Sequence, residues 1–132
     1  TEGIDLVVES FDNEASLCYG TERLLSLLDK SKNLGVAFDI GNFTFAKEDP
    51  IVAYETLKNR VRHVHVKDRA SIDDMTPVPA GTGISKIQEV LQEMEKMGYD
   101  GWYTIEVFGS KQMLSDLETA YLNTYSFLHP DN

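Results

Sequence analysis

Apolar positions along the chain fall into two alternating patterns. Four short runs, Ile4–Glu9 (IDLVVE), Leu34–Asp39 (LGVAFD), Val61–Val66 (VRHVHV) and Trp102–Val107 (WYTIEV), are rich in β-branched and aromatic residues and predict strands. After each run the apolar residues recur at helical spacing. The first predicted helix covers Thr21 to Lys32, with Thr21 as N-cap and Leu24, Leu25, Leu27 and Leu28 on its stripe. The second opens with Asp49 as N-cap and Pro50 at the first helical position, and carries Ile51, Val52, Tyr54 and Leu57. The third runs from Ser85 to Met97 with Ile87, Val90, Leu91, Met94 and Met97 inward, and Gly98 stands where a C-cap glycine belongs. The fourth runs from Lys111 to Leu128 and carries Leu114, Leu117, Tyr121, Leu122 and Tyr125.

Strand then helix, four times over, predicts an α/β fold: four consecutive βα units with parallel strands joined by helical crossovers. In such folds ligands gather at the C-terminal ends of the strands. Those ends carry Glu9, Asp39, His65 and Glu106. Alternate strand residues share a face. Parity therefore groups Asp5, Val7 and Glu9; Gly35, Ala37 and Asp39; His63, His65 and Lys67; and Thr104 and Glu106. The opposite parity holds Leu6, Val8, Val36, Phe38, Val64, Val66, Ile105 and Val107, an apolar face suited to lie under helices.

Three carboxylates and one imidazole at matching positions of four successive strands would repel each other if left alone. A divalent cation resolves that repulsion. The oxygen-rich set Glu9, Asp39, His65 and Glu106 favours Mn²⁺ or Mg²⁺, and the histidine admits Zn²⁺ or Co²⁺.

Charge narrows the partners. The 132 residues contain 12 Lys plus Arg against 22 Asp plus Glu, a formal charge of −10. That counts against a nucleic-acid binder, which needs a basic face. A single cysteine, Cys18, excludes a disulfide scaffold and any multi-cysteine zinc site, and fits a reducing compartment. No apolar run approaches the roughly 18 residues of a membrane helix, and the first residues lack the basic-then-apolar pattern of a secretory leader. The expectation is a cytoplasmic protein with no membrane partner. The chain begins at Thr1 and enters a strand almost at once, which suggests a piece of something longer.

The motifs VVES with Glu9, AFDIGN with Asp39, RHVHVKD with His65, and GTGISKIQEVLQEMEKMGYDGWYTIEV with Glu106 carry a resemblance. Together they resemble the C-terminal half of the xylose isomerase-like TIM-barrel superfamily, the sugar phosphate isomerases and epimerases. The resemblance covers essentially the whole chain. It implies that residues 1–132 form one domain, a half (β/α)8 TIM barrel made of units five to eight. It also implies that Glu9, Asp39, His65 and Glu106 bind one divalent metal, and that Glu9 and Glu106 serve as acid and base. The reaction implied is isomerisation or epimerisation of a small sugar or sugar phosphate through an enediolate.

Two departures stand out. Where ketose epimerases of this superfamily place a substrate-contacting histidine, three residues after the metal Asp, this chain has Asn42, whose amide can still bond a hydroxyl. The acidic residue often found after the Gly-x-Gly turn is replaced by Ser85-Lys86. Lys67 and Arg69, just beyond His65, are candidates for a substrate hydroxyl or phosphate. His63, one pleat deeper, reads as a hydrogen-bonded interior histidine, and His129 as exposed. Asp68 reads as a local cap or pair, Cys18 as an unreactive thiol, and Met75, Met94, Met97 and Met113 as packing. The turn Gly81-Thr82-Gly83 offers a weak anion site before a helix.

Four βα units leave two sheet edges open. The expected partner is a second copy of the chain, as a homodimer, or a missing N-terminal half barrel. Competing readings are a catalytically inert half-barrel fragment or assembly module, and a polyol or keto-inositol dehydratase using the same chemistry. Metal-dependent cleavage of abasic DNA, known in a related barrel family, is disfavoured by the acidic charge and by the lack of ligands for three metals. A receiver-type signalling domain, which wants a phospho-accepting Asp after its third strand, is disfavoured because that strand ends His65-Val66-Lys67-Asp68 and the strand count is four.

Overall fold

The computed structural model describes residues 3–74 and 76–131; of the four methionines, Met75 lies outside the described residues. Four strands, β1 (Leu6–Glu9), β2 (Leu34–Asp39), β3 (Val61–Val66) and β6 (Trp102–Ile105), form one sheet in the order β1-β2-β3-β6. All three pairings are parallel, as the alternation of strand and helix requires. The helices are α1 (Gly20–Leu28), α2 (Ile40–Phe45), α3 (Pro50–Leu57), α4 (Ile87–Lys96) and α5 (Met113–Leu128). A short antiparallel ribbon, β4 (Asp68–Arg69) with β5 (Pro77–Val78), sits between β3 and α4. This is the α/β architecture of a partial TIM barrel.

The core lies on one side of the sheet. Val36 and Phe38 from β2 and Val64 and Val66 from β3 are fully buried beneath Leu24 and Leu28 of α1, Tyr54 and Leu57 of α3, and Ile87, Val90, Leu91 and Met94 of α4. Phe38 stacks on Phe43 with ring centroids 4.3 Å apart and meets Tyr54 edge-on. These are the positions that strand parity assigned to the helix face.

The helix ends hold both agreements and corrections. Asp49 caps α3, its carboxylate accepting from the Ile51 N–H, with Pro50 at the first position. Gly98 closes α4 in the left-handed region at φ +78°, and the Tyr99 N–H donates back to the Met94 carbonyl. Thr21 is not the cap of α1, which starts one residue earlier. Instead Glu48 reaches across from the α2–α3 connection and accepts from the Thr21 N–H. The six-residue α2 and the β4–β5 ribbon were not expected from the apolar pattern.

The largest correction concerns α5. Its apolar stripe, Leu114, Leu117, Tyr121, Leu122 and Tyr125, is exposed, and Met113, which reads as packing, is exposed with it; its buried residues are Ala120 and Thr124. The helix approaches α4 and β6 along a narrow face that also brings Phe127 and Leu128 against the core. A wide apolar stripe is thus turned outward. Leu6 on β1 and Trp102 on β6 are also exposed, at the two edges of the sheet. No helix among the described residues is long and apolar enough to cross a membrane.

Candidate metal centre

The strand register brings the four candidate ligands together. Glu9 lies opposite Ala37, two residues before Asp39. Asp39 lies opposite His65, and His65 opposite Thr104, two residues before Glu106. The ligands therefore climb by four residues across the sheet, the diagonal expected when strands are tilted and staggered around a barrel axis. Glu106 follows the last residue of β6, and its N–H continues the ladder to the Val66 carbonyl at 3.2 Å.

One ligand atom from each of Glu9, Asp39, His65 and Glu106 lies within 4.8 Å of the others. His65 Nδ1 is at the centre, 2.9 Å from Glu9 Oε1, 3.2 Å from Glu106 Oε2 and 3.9 Å from Asp39 Oδ2. A ring nitrogen carries at most one proton, so it cannot satisfy three carboxylates.

Asp39 is the buried member. Its Oδ1 accepts the Asn42 N–H at 2.9 Å and so caps α2. Its Oδ2 is buried without a hydrogen bond among the described residues. Burial pushes the Asp39 carboxyl up to about 7, against the pull of Lys67 and of the Asn42 N–H. Lys67 lies beside the cluster, with Nζ 2.8 Å from Glu106 Oε1 and 3.4 Å from Asp39 Oδ2. Desolvation pulls its pKa down, but Asp39 and Glu106 outweigh that and hold the ammonium above its ordinary value.

A buried carboxylate oxygen without a hydrogen bond, beside an imidazole and two further carboxylates, has the make-up of a cation site. With all groups ionised, three carboxylates and the Lys67 ammonium carry a net charge of −2, which one divalent cation balances. The set therefore fits such an ion.

The other candidates fall in different places. Asn42 is buried, its Nδ2 donating to the Ser10 carbonyl at 2.8 Å and its Oδ1 accepting from Arg69. Arg69 is also buried; its Nε donates to the Gly41 carbonyl at 2.9 Å and its guanidinium pairs with Asp12 at 2.7 Å. Their polar groups tie the ends of β1 and β2 to the segment after β3. Ser10 completes that clasp, its Oγ accepting the Asp39 N–H at 3.0 Å. Neither Ser10 nor Asp12 was singled out by sequence. The VVES motif holds the signal for Ser10, whereas nothing local points to Asp12.

Asp68 caps locally, as expected, and more extensively. Its buried carboxylate accepts N–H groups from Gly81, Gly83 and Ser85 at 2.8–3.0 Å. A carboxylate thus fills the place an anion would take, which removes the anion reading of the Gly81-Thr82-Gly83 turn. A Cβ on Gly83 would come within 2.5 Å of Asp68 Oδ1, so the close approach requires glycine. His63 hydrogen-bonds Thr104 at 2.8 Å, its ring edge-on to His65, and burial lowers its pKa. His129 is exposed. Burial raises the Cys18 thiol, in keeping with an unreactive group.

A parallel sheet under helices, with a carboxylate–imidazole cluster at the C-terminal strand ends, defines the class as part of a (β/α) barrel. The chain belongs to the xylose isomerase-like TIM-barrel family, whose model matches residues 1–129. It is 26% identical over 102 residues to an inosose dehydratase of Lacticaseibacillus casei, covering 64% of this chain and 34% of that protein. Among solved structures, a D-tagatose 3-epimerase-like protein matches with a TM-score of 0.77 at 29% identity, over 97% of this chain and 49% of that one. A xylose isomerase-like TIM-barrel protein from Mycobacterium smegmatis in complex with magnesium matches with a TM-score of 0.75 at 17% identity, over 96% of this chain and 44% of that one. The chain thus spans between a third and a half of the length of these proteins.

Proposed function

We propose that this chain supplies units five to eight, and the metal centre, of a divalent-metal-dependent sugar or sugar phosphate isomerase or epimerase. The observation that carries the reading is the buried Asp39 Oδ2, which accepts no hydrogen bond among the described residues and faces His65 Nδ1, with Glu9 and Glu106 closing on the same point. Mn²⁺ or Mg²⁺ suits the three carboxylates best, with Zn²⁺ or Co²⁺ admitted by the imidazole. When bound, such an ion supplies Lewis-acid stabilisation of negative charge on substrate oxygens.

The residues then divide the work. Glu9 reaches His65 from β1, two strands away, and Glu106 from the end of β6, the next strand, so a substrate held over the cluster has a carboxylate towards each end. One of them takes the proton from the carbon next to the carbonyl, leaving an enediolate. The other returns a proton, to the neighbouring carbon for isomerisation or to the opposite face of the same carbon for epimerisation. Lys67 stands close enough to the cluster to meet a substrate oxygen. Asn42 and Arg69 act by holding the loops that shape the site. The walls of the sugar pocket and the sugar's identity belong to the whole protein.

The 26% likeness to an inosose dehydratase favours a second reading, dehydration of a keto-polyol. It begins with the same proton abstraction and ends with loss of hydroxide from the adjacent carbon. Solvent deuterium separates the readings. An isomerase or epimerase incorporates deuterium into recovered sugar, whereas a dehydratase yields an unsaturated product. Glu106→Gln in the full protein should weaken Mn²⁺ binding by at least about tenfold and stop exchange. Unchanged Mn²⁺ binding by calorimetry would leave the inert-module reading in its place.

A further inference from the structure

Lys67 is the one cation in ion-pair contact with two of the four cluster residues among the described residues. Its position on the chain follows from strand parity, since it continues the face of His63 and His65 one step past β3. It is only 13% exposed, so its ammonium has little water to compensate the neighbouring carboxylates. The two oxygens of Glu106 are divided: Oε1 is 2.8 Å from Lys67 Nζ, and Oε2 is 3.2 Å from His65 Nδ1.

We propose that Lys67 is an internal counter-ion of the metal centre, a positioning residue that holds Glu106 to one free oxygen and sets the cluster's charge for a divalent rather than a trivalent cation. This rests on the reading that the cluster holds a cation. A glutamate whose second oxygen is held by an ammonium cannot close around an ion with both oxygens. A fixed positive charge beside the site also repels any incoming cation, in proportion to that cation's charge. Lys67 therefore weakens binding overall and weakens trivalent ions more. Its value is selectivity and a Glu106 fixed in one pose.

The ion charge gives a signature that a merely structural lysine lacks. Removing one unit of fixed charge should strengthen Mn²⁺ by at least about tenfold, the water-screened value for charges ~6 Å apart, and Tb³⁺ by at least about thirtyfold, because the logarithm of the gain scales as two to three. The experiment is calorimetric Mn²⁺ binding and Tb³⁺ luminescence titration on the full protein, as wild type, Lys67→Met and Lys67→Arg. Expected is tighter binding of both ions in Lys67→Met, with the Tb³⁺ gain larger, and a return toward wild-type values in Lys67→Arg. Equal gains, no gain, or weaker Mn²⁺ binding in folded Lys67→Met would overturn the proposal. Should Lys67→Met fail to fold, the structure of the Mn²⁺-loaded wild type decides. Glu106 bound through one oxygen with the other on Lys67 supports it, and Glu106 bound through both overturns it. Absence of Mn²⁺ binding in the wild type would instead overturn the cation reading itself, and this inference with it.

Discussion

The two faces of the sheet are made of the same four strands and behave oppositely. On the helix side, Val36, Phe38, Val64 and Val66 are sealed by the chain's own helices. On the other side, Glu9, Asp39, His65 and Glu106 gather like charges around one point, and Trp102 and Thr104 of β6 are left exposed. One face is complete with what the chain provides. The other keeps a buried carboxylate oxygen that accepts no hydrogen bond among the described residues. Stability therefore resides on one side of a sheet one residue thick, and chemistry on the other.

That contrast can be tested by substituting neighbours on β2 that point opposite ways. Phe38→Ala should have the largest effect, a loss of about 3–5 kcal/mol of stability from the emptied space between Phe43 and Tyr54. The check is denaturant unfolding, with Mn²⁺ affinity unchanged in whatever fraction stays folded. Asp39→Asn should do the reverse. It should cut Mn²⁺ affinity by at least about 100-fold, yet raise the melting temperature of the metal-free protein, because a buried carboxylate becomes neutral. A fall in that temperature would mean that the two faces are not separable.

A smaller effect concerns pH. The Asp39 carboxyl titrates at about 7 in the folded, metal-free chain, against an ordinary value of 3.8. An acid whose folded pKa is raised stabilises the fold while protonated. That contribution is complete below about 3.8 and is lost as the pH rises to about 7. Metal binding runs the other way, since the ion must displace the proton. Mn²⁺ affinity should fall by about tenfold for each pH unit below about 7, and calorimetry across that range checks it. A flat profile in wild-type protein would place the proton elsewhere.

Much of this was legible in the sequence because it depends on short periods. Strand parity alone put Glu9, Asp39, His65 and Glu106 on one face, and the caps at Asp49 and Gly98 rest on chemistry two to five residues long. What was not legible depends on distant pairing. Asn42 and Arg69 look like polar residues next to a site. They are buried because Arg69 meets Asp12, 57 positions away, and Asn42 meets Ser10, 32 positions away. The stripe of α5 looks like core because its spacing is helical, but spacing cannot say whether a neighbour stands on that side. The α2 helix was hidden because Asp39 reads as the end of a strand and is at the same time the start of a helix.

That double duty has a consequence. One oxygen of Asp39 holds the first turn of α2 through the Asn42 amide, while the other points to the place where an ion would sit. Whatever draws on the second oxygen alters the electron density offered to the first. The Asn42 amide is thus wired to the occupancy of the centre, and its proton resonance would register loading from inside the backbone, with no label and no substrate required.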